Sequence, residues 1–233
     1  MLGRLSISRY SPARKSENAS SADNQQGSRS ADGGVDPSET TRQPLGGSSS
    51  AVRREVARAY LLGALGDGTF NRLHRTFRFT QKEREWLEVL RRLLSVLGHR
   101  AWIYREGKAR LVYALETSAK SLHEDRGALW CKTLSEQQAY VRGYFDAEGG
   151  IPQNPDAPLY VQFVQKDWES LAQVKGILER CGVTCGVIHN PSRRVDPEYW
   201  RFFVRRSAHQ RFIRVVGSWH PRKAKLLQQR VKI

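Results

Sequence analysis

Between residues 72 and 79 the chain alternates polar with apolar side chains: Arg72-Leu73-His74-Arg75-Thr76-Phe77-Arg78-Phe79. A period of two predicts a half-buried strand. The period then lengthens. Trp86, Leu87, Leu90, Leu93, Leu94 and Leu97 recur at helical spacing and stop at Gly98, which predicts an amphipathic helix closed by a glycine. The same succession returns later. Leu159-Tyr160-Val161-Gln162-Phe163-Val164 alternates, Trp168, Leu171, Val174, Ile177 and Leu178 form a stripe, and Gly182 ends it. A Gln-Lys pair opens each helix, at Gln81-Lys82 and Gln165-Lys166, and Gln to Gly spans 17 residues both times. Hairpin patterns follow. The first is Trp102-Ile103-Tyr104, a turn through Gly107 and residues 111–117; the second is Gly186-Val187-Ile188, a turn through Asn190-Pro191 and residues 199–205. Both return strands run into Ser-Ala and a further helical stretch. The chain is thus internally duplicated. It is predicted as α+β, with two αββαββα repeats at 51–134 and 135–233 related by a pseudo-twofold axis, like a homodimer fused into one chain.

Ahead of the first strand of each repeat lies a segment of small residues that closes on an acid. One is Leu61-Leu62-Gly63-Ala64-Leu65-Gly66-Asp67-Gly68; the other is Val141-Arg142-Gly143-Tyr144-Phe145-Asp146-Ala147-Glu148-Gly149-Gly150. Small side chains let two helices approach closely. An acid near a helix C-terminus opposes the helix dipole, so Asp67 and Glu148 at equivalent positions want a reason. One reason is a metal site, because hard carboxylate oxygens suit Mg²⁺. The other is a packing element whose acids merely end the helices. The segments differ by one residue: Glu148 follows Gly143 by five, Asp67 follows Gly63 by four. A local change of helix winding would restore the aim of Asp67. Without it the first acid is misplaced.

Charge sharpens the choice. The net charge is +16. Residues 1–50 hold six basic and five acidic side chains, so +15 falls on the remainder. A folded unit of that charge points to a polyanion. The charge alternates within predicted strands rather than lining one amphipathic helix, which argues against a membrane surface. No apolar run approaches the roughly 20 residues that cross a bilayer. Cys131, Cys181 and Cys185 read as reduced thiols inside a cell, and no second Cys/His pair at finger-like spacing indicates zinc. Residues 1–50 are rich in Ser, Gly, Asp, Asn, Gln and Arg and are predicted to be a disordered tail. The first 16 residues carry four basic and no acidic side chains, the flavour of an organellar transit peptide. The acids from Glu17 onward dilute it. The expected location is intracellular, in cytoplasm or nucleoid, with an organelle as the alternative.

The two acid-closing motifs and the two Gln-Lys pairs together resemble the LAGLIDADG homing endonucleases in their single-chain, two-motif form, over residues 55–231. Gly143-Tyr144-Phe145-Asp146-Ala147-Glu148-Gly149 is close to the family consensus; the first motif is one residue short. The resemblance implies motif helices packed side by side at the centre, and curved antiparallel sheets, four strands from each unit, forming a DNA-binding saddle. It implies that Asp67 and Glu148 each hold a divalent metal, normally Mg²⁺, against a scissile phosphate, so that both strands are cut across the minor groove with short 3′ overhangs. Gln81 and Gln165 match family residues beside the metal-bound waters; a hydrogen bond at the start of each helix is the other role open to them. Lys223 or Lys225 resembles the family's active-site lysine. Its partner in the first unit would be Lys132, with Lys120 second; a phosphate contact or a solvated helix face is equally open for all four. The strands would read the major groove. In that role stand Arg72, His74, Thr76 and Arg78 on one face of the first strand, Tyr160 and Gln162 in the second unit, and Tyr104, Arg105, Lys108, Arg110, Arg193, Arg194, Arg201 and Arg205 on the hairpins. His74 and His189 belong to that surface rather than to a metal, and most tryptophans to the core. The expected activity is site-specific double-strand cleavage of a long, asymmetric DNA target by a monomer encoded in a mobile intron. Two alternatives keep the fold: a maturase that binds its intron RNA, and a catalytically inactive DNA-binding regulator.

Overall fold

The computed structural model describes residues 50–107, 111–119, 122, 131–154 and 156–230. The predicted tail up to residue 49, Lys108, Arg110, Lys120, Trp130 and the closing helix of the first unit lie outside the described residues. The first motif forms α1 (Ser50–Ala64) and a 3₁₀ turn (Leu65–Asp67), followed by β1 (Gly68–Asn71), β2 (Thr76–Gln81), α2 (Arg84–Val96), β3 (Ala101–Glu106) and β4 (Val112–Thr117). The second unit runs α3 (Leu134–Glu148), β5 (Gly149–Gly150), β6 (Gln162–Gln165), α4 (Trp168–Arg180) and β7 (Trp200–Phe203). A 3₁₀ turn (Arg206–Ala208), α5 (His209–Val215) and α6 (Pro221–Arg230) complete it.

Local chemistry sets the helix ends. Thr133 Oγ1 accepts the Glu136 N–H at 3.2 Å, and the Glu136 carboxylate accepts the Lys132 N–H at 3.0 Å, a capping-box arrangement that starts α3. Asp167 caps α4 by accepting from the N–H groups of Glu169 and Ser170. Gly98 and Gly182 take positive φ, 82° and 75°. The residue after each donates its N–H back to Leu94 or Leu178 at 2.9 Å, so α2 and α4 end in the same way. Gln81 and Gln165 are the last residues of β2 and β6, not the first of the helices.

The first sheet has the order β1-β2-β4-β3, all antiparallel neighbours. Phe77, Phe79 and Leu115 are buried on the side that meets Trp86, Leu87, Leu90 and Leu94 of α2. The second sheet has the order β5-β6-β7. Its expected fourth strand is reduced to two bridges, Cys185 with Val204 and His189 with Arg201. Four steps on one side match three on the other, which is a β-bulge, and the extra residue breaks the ladder. The alternation at 72–79 is also not one strand. Arg72 and His74 lie in the turn that joins β1 to β2, with Arg75 at φ 52°, and only Thr76 and Arg78 of the predicted set are in β2. Thr76 is buried, 6 % exposed, and offers no free surface to a ligand. Trp168 begins α4 rather than joining its buried stripe and is 49 % exposed. Of the described tryptophans only Trp86 is fully buried.

Part of the positive charge serves the fold itself. Arg54 of α1 reaches the Val96 and Leu97 carbonyls that end α2, Arg211 of α5 reaches Cys181 after α4, and Arg142 of α3 reaches Val216 after α5. A cation at the negative end of a helix is favourable. Net charge therefore overstates what is left for a polyanion.

Candidate active site

The site stands on the contact between α1 and α3, which pack against each other at the centre of the two units. Two glycines permit it. A Cβ on Gly63 would lie 2.0 Å from the Tyr140 carbonyl oxygen, and a Cβ on Gly143 would lie 2.0 Å from the Tyr60 carbonyl oxygen. Each tyrosine precedes its own motif glycine by three residues, so the contact is reciprocal, as a pseudo-twofold axis requires. Backbone meets backbone there, and no side chain larger than hydrogen fits.

The missing residue of the first motif is made up by winding. From Gly63 the chain takes one α step and three 3₁₀ steps to Asp67, an advance of about 7.5 Å. Five α steps from Gly143 to Glu148 advance about the same 7.5 Å, with a difference in rotation of roughly 40°. The two acids accordingly emerge at the same end of the helix pair. A Cβ on Gly66 would lie 2.7 Å from Glu148 Oε1, so the Glu148 carboxylate rests beside the residue that precedes Asp67. Burial and then the charge of Glu148 push Asp67 up to about 7, against the opposing pull of Lys223 and Gln81. Burial also raises Glu148, with Lys223 opposing. Gln81 donates its amide N–H to Asp67 Oδ2. Gln165 does not do the same for Glu148: its carbonyl accepts the Lys166 N–H at 2.8 Å.

Placing an extra methyl at residue 66 tests how the second acid is held. In Gly66→Ala the Glu148 side chain must swing away while the helix backbones stay put. We expect any activity of the site to fall at least about 10-fold with little change in melting temperature; an unaltered activity would mean that Glu148 works from another position.

Lys223 is the lysine of the site. Its Nζ donates to the carbonyls of Phe145, Asp146 and Gly149 at 2.7, 2.8 and 2.7 Å, so it caps the end of α3. Burial lowers it to about 8, while Asp146, Asp67 and Glu148 pull it up. Lys225 is exposed on α6. Lys132 does not join the site: it precedes α3, and the helix, roughly 21 Å long, separates it from Glu148.

Asp146 organises this region and has no role in the sequence reading. Its carboxylate is 2 % exposed. It accepts from the Tyr60 hydroxyl at 2.6 Å, from Ser218 Oγ, and from the N–H groups of Trp219 and His220 at 2.8 and 3.0 Å. Burial raises its pKa, with Lys223 and these donors opposing. Trp86 Nε1 donates to the Tyr60 hydroxyl at 2.9 Å, extending the network to α2. Asp146 thereby fastens the segment that leads into α6 and delivers Lys223. Pro221 marks the start of α6 in the sequence, but the partnership of Ser218 with Asp146, 72 residues away, has no local signal. Asp146→Ala leaves these donors unpaired in the interior, and we expect a loss of about 3–5 kcal/mol in urea unfolding, with proteolysis appearing first near residues 218–230.

The expected reading surface is partly assembled. Arg78 and Tyr104 lie on the open face of the first sheet, and Arg105 alternates to the other face. In the second unit Gln162 and Arg201 share a face. His189 accepts from Arg201 Nε at 3.3 Å, and Tyr160 packs edge-on against Phe203. Arg193, Arg194 and Arg205 are exposed beyond it, in a turn and just after β7. Among the described residues no group of three or more His, Cys, Asp or Glu side chains could hold a metal. The Asp67–Glu148 pair offers two carboxylates, and two repelling, partly buried acids fit a hard divalent cation that would take its remaining ligands from elsewhere.

Known proteins share this arrangement. The family model of the LAGLIDADG-like domain matches residues 55–124 and 135–217. A structure of mesophilic variants from the homing endonuclease I-DmoI is 19 % identical, with TM-score 0.55, over 71 % of this chain and 97 % of that chain. I-DmoI in complex with DNA and Ca is 19 % identical, with TM-score 0.54, over 76 % and 99 %. Full-length DUF199/WhiA from Thermatoga maritima is 17 % identical, with TM-score 0.57, over 84 % of this chain and 65 % of that one. At such identities the likeness is one of fold. No curated protein sequence matches the chain. Two matched segments, a duplicated α+β fold and two motif helices joined through paired glycines agree: the chain belongs to the LAGLIDADG family, in its single-chain form with two motifs.

Proposed function

We propose that the protein is a site-specific endonuclease that hydrolyses both strands of a DNA duplex with divalent metal, normally Mg²⁺, at Asp67 and Glu148. One observation carries the reading: two acids from different repeats converge at the end of a helix pair, although burial and repulsion hold Asp67 up to about 7. A structural role would not need that cost; a cation and a phosphate repay it. Asp67 and Glu148 would hold the metal, which when bound supplies an activated water and stabilises the leaving oxygen. Gln81 orients Asp67. Lys223 fixes the end of α3, and through it the direction of Glu148, while adding positive charge beside both acids. Arg78, Tyr104, Gln162, Arg193, Arg194, Arg201 and Arg205 would meet the duplex. That solved structures of I-DmoI include complexes with DNA and Mn supports the same partner and class of cofactor here. A fused pair of unlike half-sites in one chain suits a monomer on a long, asymmetric target.

The test is incubation with a duplex spanning the uninterrupted insertion site of the host gene, with Mg²⁺ or with a chelator. Metal-dependent cutting of both strands is expected. Specific binding without cutting in either condition would replace the enzyme by a DNA-binding regulator. Binding confined to the intron transcript would replace it by a maturase.

A further inference from the structure

Two acids stand on the sheet face where DNA would lie. Register places Thr69, Arg78, Glu116 and Trp102 in one row across β1, β2, β4 and β3. Phe77, Phe79 and Leu115 alternate to the opposite, buried side, whereas Trp102 and Tyr104 are 46 % and 38 % exposed. Arg78 Nη2 lies 2.7 Å from Glu106 Oε1, and Arg78 Nε lies 3.8 Å from Glu116 Oε1. The Tyr104 hydroxyl donates to that same Glu116 oxygen at 2.8 Å. Among the described residues the second sheet has no such cluster. Gln162, three residues before Gln165 as Arg78 is three before Gln81, pairs with Phe203, whose ring meets Tyr160, His189 and Arg201.

A carboxylate facing DNA is repelled by phosphates and weakens sequence-independent affinity. Its compensation must come from a donor. An ionised carboxylate only accepts, and the major groove offers it the amino groups of cytosine and adenine. Arginine is the commonest partner of guanine O6 and N7. An arginine and a carboxylate side by side in one row therefore match the two halves of a G·C pair.

We propose that Glu116, held by Tyr104 beside Arg78, is a specificity-determining residue: it accepts from a cytosine amino group while Arg78 exchanges Glu106 for the paired guanine. The half-site under the first sheet then requires a G·C pair at that position, and the half-site under the second sheet has no counterpart. The inference rests on the DNA-endonuclease reading and goes beyond it by assigning base preference.

Selection of bound duplexes from a pool with randomised positions, using the full chain and its Glu116→Gln and Glu106→Gln variants, tests it. The wild type should enrich G·C at one position at least about 10-fold. Glu116→Gln should lose that preference by about the same factor and admit A·T, since glutamine pairs with adenine, with the other positions and the melting temperature unchanged. If both variants select the wild-type sequence, the acids only neutralise Arg78 and the inference is overturned while the DNA reading stands. If the wild type selects no sequence, the DNA reading itself falls and takes this assignment with it.

Discussion

Glu148→Gln should abolish cutting while leaving specific DNA binding within about 3-fold of wild type. Glutamine keeps the length and packing of the side chain beside Gly66 and removes only its charge. A metal held by this acid supplies several kcal/mol of charge stabilisation, which corresponds to about 10³-fold or more in rate. Single-turnover cleavage of a supercoiled plasmid reads the outcome, because loss of one site alone would leave nicked circles. Asp67→Asn should behave likewise and adds a thermodynamic signature. The folded chain releases the Asp67 proton near 7; an unfolded chain releases it near 4, as ordinary aspartate does. Between those pH values the folded state binds more protons, so metal-free stability declines as pH rises. Three units set a ceiling of about 4 kcal/mol, and the solvent that still reaches this partly buried carboxylate reduces it to about 1–2 kcal/mol. Asp67→Asn should therefore melt with the wild type at pH 4 and above it at pH 8. Lys223 retains Asp146 and Glu148 as partners, so the variant does not strand it. Equal melting curves at pH 8 would show that Asp67 is solvated and not held against Glu148.

The repeat was legible because it rests on periodicities that folding cannot ignore. The two Gln-to-Gly intervals became β2–α2 and β6–α4 with matching glycine ends, and the paired motif glycines became the reciprocal contacts with Tyr60 and Tyr140. The shortened motif announced a winding defect, and the 3₁₀ turn at Leu65–Asp67 is that defect. Other features had no local signal. The alternation at 72–79 runs straight through a turn, leaving Leu73 84 % exposed, because period two does not distinguish a strand from two strand ends joined by a tight turn. The bulge that reduces the strand at 185–189 depends on a register offset against β7 that neither strand declares alone. Lys132 follows Trp130 and precedes the second motif in sequence, but it stands at the start of α3, and that helix carries its acid at the far end. Asp146 stands in the same motif as Glu148, but residues two apart on a helix face different ways and serve different partners.

Gly143→Ala should be, with Gly63→Ala, among the most damaging single methyls in the described residues. The new Cβ would lie 2.0 Å from the Tyr60 carbonyl oxygen, 2.9 Å from its carbon and 3.0 Å from the Ala64 nitrogen. All three are backbone atoms, so no side chain can yield; α1 must move by more than 1 Å along its contact with α3. Overpacking of that kind costs roughly 1–3 kcal/mol, and more where backbone must shift. Because the same helix pair carries both acids, the displacement also separates Asp67 from Glu148, so activity should vanish even in conditions where the chain remains folded. Helix propensity works the other way: alanine for glycine favours a helix interior by about 1 kcal/mol. Gly176→Ala isolates that part, since its Cβ would meet only Arg180 Nη1 at 3.6 Å, and it should stabilise slightly. Gly63→Ala, with 2.0 Å to the Tyr140 carbonyl oxygen, should repeat the loss from the other side of the axis. The double variant should cost less than the sum of the two, because helices already separated by one methyl have room for the second. Full additivity in urea unfolding would mean that the two glycines do not share one interface, and the convergence of the acids would lose its support.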